Sequence, residues 1–297
     1  MKLLITGGTG LLGRRLTHLL AARGHEVAIL SRHPKPNASL PQFRWDMESG
    51  WIDPEAYAYA EGIIHLAGEG IAEKRWSAAQ KDLIIESRVQ PITWLARDLS
   101  NFNIQPKAFI SASAIGFYGG DRGEEILTET TEPGQDFLAT CTVAWEKAAQ
   151  LLEADRKVHL RIGIVLSREG GALPKMAMPV QWGVGASLGS GKQWMSWIHL
   201  DDLCQFFIQA VENPSWHGPF NAVAPTPVRH QDFLKMLAKV LKKPLWLPAI
   251  PKFLLQLALG EMSIVVTGSA RVQSNHSHPI PWQYPTLEKA LKQLYSN

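Results

Sequence analysis

The sequence predicts an α/β protein built on a Rossmann-type, doubly wound parallel sheet, followed by a smaller C-terminal substrate domain. Three observations predict it. The stretch Thr6-Gly7-Gly8-Thr9-Gly10-Leu11-Leu12-Gly13 separates a short apolar run, Leu3-Leu4-Ile5, from a segment in which Leu11, Leu12, Leu16, Leu19 and Leu20 return at helical spacing before Gly24. Short apolar strands then alternate with longer helical patterns, the signature of a sheet whose strands are joined by helices. With 297 residues, 45% hydrophobic and 19% charged, the chain can bury one large core and carry a smaller appendage.

The glycine turn is justified by what a pyrophosphate needs. The turn is tight, the backbone must come close to the phosphates, and the helix must pack close to its strand, while the helix N-terminus offers free N–H groups and a partial positive charge. Two registers fit, Gly8-x-Gly10-x-x-Gly13 and Gly7-x-x-Gly10-x-x-Gly13. Gly7, Gly10, Leu11, Leu12 and Gly13 are therefore expected to bind a dinucleotide.

The second strand, about Glu26 to Leu30, ends in Ser31-Arg32, and that ending bears on which dinucleotide. A carboxylate at this tip accepts hydrogen bonds from the ribose 2′-hydroxyl of NAD but repels a 2′-phosphate, which favours arginine instead. Ser31 and Arg32 thus point to NADP, with a charge-assisted bond contributing about 1.5–3 kcal/mol. A third strand around Phe43 to Trp45 leads to Asp46, whose carboxylate is placed either at the adenine edge or in a turn. The fourth, Gly62 to Leu66, runs into Leu66-Ala67-Gly68, small enough for backbone to lie against ribose or nicotinamide, and then Glu69 and Lys74-Arg75-Trp76.

A long helical pattern from Ser77 to Leu99 contains Pro91, where a kink is expected. The strand Ala108 to Ser111 delivers Ser111, Ala112 and Ser113 through Tyr118 to the carboxyl edge, where ligands of doubly wound sheets bind. The segment Gly170 to Gly191, rich in Gly, Pro and Met, reads as a mobile lid or cleft wall. Residues 1–170 with part of 192–225 are assigned to the cofactor domain, and 171–191 with 226–297 to the substrate domain. Six of the eleven tryptophans follow residue 180, which suits a core but also an apolar or ring-shaped substrate.

Composition excludes several classes. A net charge of +3 without a run of lysines and arginines is no footprint for nucleic acid. Cys141 and Cys204 lack metal-ligand spacing, so no metal site is read and both thiols are expected free in a reducing cytoplasm. The apolar stretch Phe253 to Val266 is too short to span a bilayer and is interrupted by Gly260 and Glu261, so it is read as a packed helix and no membrane is expected. The expected partner is a small-molecule substrate, with the chain a monomer or homodimer.

Taken together, the glycine turn, His65 to Gly68, Ser111-Ala112-Ser113 ending in Phe117-Tyr118-Gly119, Leu160-Arg161-Ile162-Gly163 and Trp197-Ile198-His199-Leu200-Asp201-Asp202 resemble the extended short-chain dehydrogenase/reductase superfamily, which includes nucleotide-sugar epimerases and dehydratases. Leu66-Ala67-Gly68-Glu69 before Lys74-Arg75-Trp76, and Gly260-Glu261-Met262 before Arg271-Val272, are similar to its atypical, epimerase-like branch, often labelled NAD-dependent epimerase/dehydratase and sometimes cell-division inhibitor. The resemblance implies a Rossmann domain, a C-terminal substrate domain and NADP(H).

One departure matters for the chemistry. The superfamily carries a Tyr-x-x-x-Lys pair, the tyrosine moving a proton at the substrate oxygen and the lysine lowering its pKa. On the helix Phe137 to Glu153, aligning the family's later glutamate with Glu146 puts Leu138 and Thr142 at those positions, and the other register puts Val143 and Lys147 there. Neither yields the pair. Ser113, matched to the family's catalytic serine, is then the first catalytic candidate, with Tyr118 and Glu69 behind it. A Ser113-His199-Asp201 hydrolase is rejected because no Gly-x-Ser-x-Gly elbow surrounds the serine. Two functions follow: an NADP(H)-dependent oxidoreductase or epimerase acting on a small hydroxyl or carbonyl compound such as a nucleotide sugar, or an NADP(H)-binding sensor without turnover.

Overall fold

A computed structural model describes residues 1–275 and 280–296. Strand β1 (Lys2–Thr6) is buried at Leu3, Leu4 and Ile5, so it is covered on both faces, as a central parallel strand must be. Helix α1 (Leu11–Ala22) returns the chain to β2 (Glu26–Ser31), and β3 (Gln42–Asp46) and the short β4 (Trp51–Ile52) follow on the same side. Helix α2 (Pro54–Tyr59), with Pro54 at its first position and Asp53 accepting from the N–H of Glu55, leads into β5 (Gly62–His65) on the other side of β1. The chain has therefore reversed direction at β1, and the carboxyl ends of β1 and β5 flank the topological switch point.

Helix α3 (Ala78–Asn101), capped by Ser77 on the N–H of Gln80, runs unbroken through Pro91 to β6 (Ala108–Ala114). A 3-10 turn over Ile115–Tyr118 and β7 (Ile126–Leu127) precede α4 (Phe137–Leu151), whose cap is Asp136 on the N–H of Ala139. Then come β8 (Lys157–Ile162), β9 (Ile164–Leu166), α5 (Ala172–Gln181), β10 (Trp194–Met195), β11 (Trp197–His199), α6 (Leu200–Glu212) and β12 (Gly218–Ala222). The main sheet has the order β12-β8-β6-β5-β1-β2-β3-β4, parallel except at β4. The rest of the chain supplies β13 (Val228–Arg229), α7 (His230–Leu241), α8 (Lys252–Leu259), α9 (Ile264–Thr267), β14 (Arg271–Val272) and α10 (Leu287–Tyr295).

Three apolar cores result, the smallest formed by Tyr118, Leu127, Val223 and Val272. The largest surrounds the sheet, and the second joins Leu173, Ala177 and Val180 of α5 to Phe233 and Leu237 of α7 and Leu291 of α10. Helix α5 lies inside residues 170–191, read from the sequence as a mobile lid or cleft wall, and packs this segment into the second core. Leu173, Ala177 and Val180 recur at helical spacing, and Pro174 sits in the first turn, where backbone N–H groups have no intrahelical acceptor to lose. A correction concerns residues 253–266: α8 forms as expected but is not packed, since none of its residues is buried. Among the described residues, no helix is long and apolar enough to cross a membrane.

Candidate cofactor and substrate site

The glycine turn lies at the switch point, and three of its glycines have distinct tasks. Gly7 has a φ of +69° and lies so close to β5's exit that a Cβ would stand 2.9 Å from the Leu66 carbonyl carbon. A Cβ on Gly13 would stand 2.3 Å from the Gly7 oxygen, so this glycine lets α1 approach its own strand. A Cβ on Gly10 would meet only the Gly7 oxygen, at 3.3 Å, and otherwise faces open space. The register Gly7-x-x-Gly10-x-x-Gly13 is thus the one that describes the turn. Gly10 caps α1 with no side chain, and no carboxylate occupies the first turn. The N–H groups of Leu11 and Leu12 are left to an anion, and these residues fit a dinucleotide's pyrophosphate.

Thr6, which sequence reasoning passed over, ties the two flanking loops together. Its Oγ accepts from the N–H groups of Leu66 (3.1 Å) and Ala67 (3.2 Å), so its own hydrogen goes to Nδ1 of His65, 2.9 Å away. That assigns the proton of His65 to Nε2, and burial holds the ring neutral with its pKa lowered to about 3. Arg88 on α3 donates to the Glu69 carbonyl at 2.8 Å, and Ser87 accepts from the Glu69 N–H at 3.0 Å. The Leu66–Gly68 loop is therefore held against Gly7 from below and from its far end. Ser31 and Arg32 close β2 on the same edge; Arg32 is exposed and has no ion-pair partner among the described residues. Asp46 accepts from the N–H groups of Glu48 and Ser49 and so serves a turn.

The catalytic candidates are not gathered at this edge. Ser113 is 2% exposed and donates to Glu146 at 2.6 Å, because alternation along β6 turns it toward α4 and leaves Ala114 to face the cleft. Ser111, likewise buried, shares a hydrogen bond with Nδ1 of His159 at 2.9 Å, and Ala112 packs in the main core. Tyr118 is fully buried, donates to Asn221 at 2.7 Å and accepts from Arg161 at 3.0 Å; burial raises its pKa, so it is no base at neutral pH. Ser113 and Tyr118, expected to meet a substrate, are thus each engaged with buried partners and neither lines the cleft. Glu69 remains half-buried on the loop beyond β5 and does not line the cleft.

What Ser113 and Tyr118 share is a buried ionic network that the sequence did not reveal. Arg161 on β8 grips both oxygens of Glu146 at 2.9 Å, and its guanidinium lies over the Phe117 ring at 3.4 Å. The only sequence signal was Glu146 itself, one helical turn past Thr142. Ser113→Ala is expected to lower stability by about 1.5–3 kcal/mol, the value of a hydrogen bond to a charged group, with NADPH affinity unchanged. Urea unfolding with parallel NADPH titration checks this; a hundredfold loss of hydride transfer at unchanged stability would return Ser113 to the chemistry.

The cleft at the carboxyl edge encloses about 200 Å³. Leu138 and Thr142 of α4 stand across it from Ala114, packed on Gly116, so of the two registers this one brings its positions to the cleft. Lys147 and Val143 line a different and larger hollow, about 920 Å³, that opens toward Lys107 and Lys157 at the strands' amino ends, away from the glycine turn. Among the described residues, none that lines the smaller cleft carries an ionisable side chain. Its two hydroxyls are occupied: Thr142 donates to the Leu138 carbonyl at 2.8 Å and Ser196 to that of Ala270 at 2.8 Å. His199 caps α6 and pairs with Gln293, and Asp201 pairs with Arg15, so no hydrolytic triad forms with Ser113. Among the described residues no cluster of ligands for a metal ion exists.

A parallel sheet with a glycine turn at its switch point defines a Rossmann-type fold of the nucleotide-binding class. Residues 3–222 match the NAD dependent epimerase/dehydratase family, and the chain belongs to it. Residues 250–294 match a further domain, DUF1731, of unknown function. The chain is 36% identical to the epimerase family protein YfhF of Bacillus subtilis (strain 168), covering 100% of this chain and 99% of that one. It superposes on the human epimerase family protein SDR39U1 (isoform2), solved with NADPH, with a TM-score of 0.86 at 30% identity over 100% of both chains. A nucleoside-diphosphate sugar epimerase from Corynebacterium glutamicum gives a TM-score of 0.78 at 35% identity, over 99% of this chain and 57% of that one. Family and fold together support a nicotinamide dinucleotide as cofactor.

Proposed function

We propose that this chain is an NADP(H)-dependent hydride-transfer enzyme that reduces a small apolar carbonyl compound without a side-chain acid or base. The observation that carries the proposal is the cleft: it lies where the family performs its chemistry, and every group lining it is apolar or already hydrogen-bonded. The glycine turn and the N-terminus of α1 hold the pyrophosphate, Arg32 with Ser31 faces the 2′-phosphate, and Leu66 to Gly68 lie along the ribose. That the human relative was solved with NADPH supports the choice of NADP over NAD. The cofactor, when bound, supplies the hydride.

Leu138, Ile162 and Ile264 hold the apolar body of the substrate and exclude water from all but the mouth. Hydride addition to the carbonyl carbon is balanced by a proton taken up from water, since no side chain offers one. A nucleotide sugar is the weaker candidate, because its diphosphate would find no cation in the cleft. The volume, moreover, is below the roughly 300–1,000 Å³ of sites for larger ligands. Withdrawal of Ser113 and Tyr118 into the buried network favours a second reading, an NADP(H) sensor without turnover.

A panel of small aldehydes, ketones and enones mixed with the NADPH-loaded protein separates the two. Oxidation of NADPH by at least one compound is expected, with a rate nearly independent of pH between about 6 and 9 because no cleft group titrates. Tight NADPH binding with no oxidation by any member of the panel would leave the sensor reading in its place.

A further inference from the structure

Helix α8 has the sequence Lys-Phe-Leu-Leu-Gln-Leu-Ala-Leu and buries none of it, an arrangement that wastes an apolar helix unless something else covers it. Phe253 is 65% exposed and Leu257 77%. The exposed apolar surface continues beyond the helix. Ile250 donates its N–H to Ser187, and the indole of Trp246 donates to the Gly183 carbonyl at 2.9 Å, which sets Trp182 and Val184 beside the segment leading into α8. Trp182 and Trp246 are about as exposed as Phe253, and Val265, partly exposed, also lines the cleft. Together these segments expose a group of large apolar side chains, whereas apolar residues scattered singly are the rule on a monomer's surface.

The charges around this face decide what covers it. Lys175, Lys192, Lys242, Lys243 and Lys252 lie in the two segments that form it, against Glu261 alone. Glu261 is paired with Lys81 and Lys175 with Glu73, whereas Lys242, Lys243 and Lys252 are exposed and have no ion-pair partner among the described residues. A second copy of the chain in a two-fold dimer would set this patch against itself and bring lysine toward lysine. Exposed aromatic and leucine side chains on segments that also carry exposed, unpaired lysines match instead the boundary of a bilayer, where the rings sit at headgroup level and the ammonium groups meet anionic lipid.

We propose that α8 with the Trp182 and Trp246 loops is a docking surface for an anionic membrane, on which the protein lies without spanning it. Eight residues of helix reach about 12 Å, far short of the ~30 Å hydrocarbon core, but lying in the interface requires no span. The surface places the mouth of the apolar cleft, at Val265, beside the lipid. The docking itself is independent of the reaction proposed above.

The test is co-sedimentation of the NADPH-loaded full chain with phosphatidylcholine vesicles containing about 30% phosphatidylglycerol. Binding is expected, about tenfold weaker to vesicles of phosphatidylcholine alone and reduced by salt. Phe253→Glu with Leu257→Glu, and separately Lys242→Glu with Lys243→Glu and Lys252→Glu, should each weaken it about tenfold or more. All five side chains are exposed, so NADPH affinity should be kept, which distinguishes lost docking from lost fold. Protein that stays in the supernatant, binding unaltered by either set, or a solution dimer that Leu257→Glu breaks while vesicles are ignored would each overturn the proposal.

Discussion

Gly10→Val is expected to lower NADPH affinity by about a hundredfold or more while leaving the protein folded. The two halves of that expectation rest on different atoms. A Cβ at this position meets only the Gly7 oxygen, at 3.3 Å, and Gly10 has a φ of −74°, which valine adopts without strain. The isopropyl group would instead fill the space in front of the α1 N-terminus that a pyrophosphate must enter. Gly13→Ala is the contrasting control, because its Cβ would be driven into the backbone of Gly7 and Gly8 and the damage would fall on the fold. Calorimetric titration with NADPH and a thermal melt of each variant check both. Unchanged NADPH binding by folded Gly10→Val would mean that the dinucleotide lies elsewhere.

Arg161→Met is expected to cost about 3–5 kcal/mol of stability, because it leaves Glu146 buried with Ser113 as its sole remaining hydrogen-bond partner among the described residues. Tyr118 would lose its guanidinium donor in the same change, though it keeps Asn221. Adding Glu146→Gln should recover part of the loss, since the double variant no longer buries an unpaired charge. Denaturant unfolding of the two single variants and the double variant measures the coupling. A single-variant loss below about 1 kcal/mol would show that water reaches Glu146 and that the network is not closed.

The half of the molecule organised by hydrophobic period and glycine spacing was legible in the sequence. Leu3-Leu4-Ile5, the helical leucines after Gly10 and the strands ending at Ser31 and His65 each declare their element through residues close along the chain. The candidate site divides along the same line. Gly7, Gly10 to Gly13 and Leu66 to Gly68 converge because strand order alone brings their turns to one edge, and the absence of a Tyr-x-x-x-Lys pair was visible on α4.

What was not legible depends on which way a side chain turns. Ser113 and Ala114 are neighbours in β6, and only the pleat decides that the alanine faces the cleft while the serine faces Glu146. Arg161 looked like part of a strand motif, and nothing local marks it as the partner of a carboxylate on a helix. The exposed leucines of α8 carry the same pattern as a core helix, and the sequence holds no signal that nothing among the described residues buries them.

The most direct test of the account is a calorimetric comparison of NADPH and NADH binding to the unmutated protein and to Arg32→Ala. Arg32 stands exposed at the end of β2 with no ion-pair partner among the described residues, and no carboxylate follows it before Asp46, so the 2′-phosphate would gain a charge-assisted bond. The account predicts that NADPH binds at least about tenfold more tightly than NADH and that Arg32→Ala removes most of the difference. Equal affinities for the two dinucleotides in the unmutated protein would contradict it.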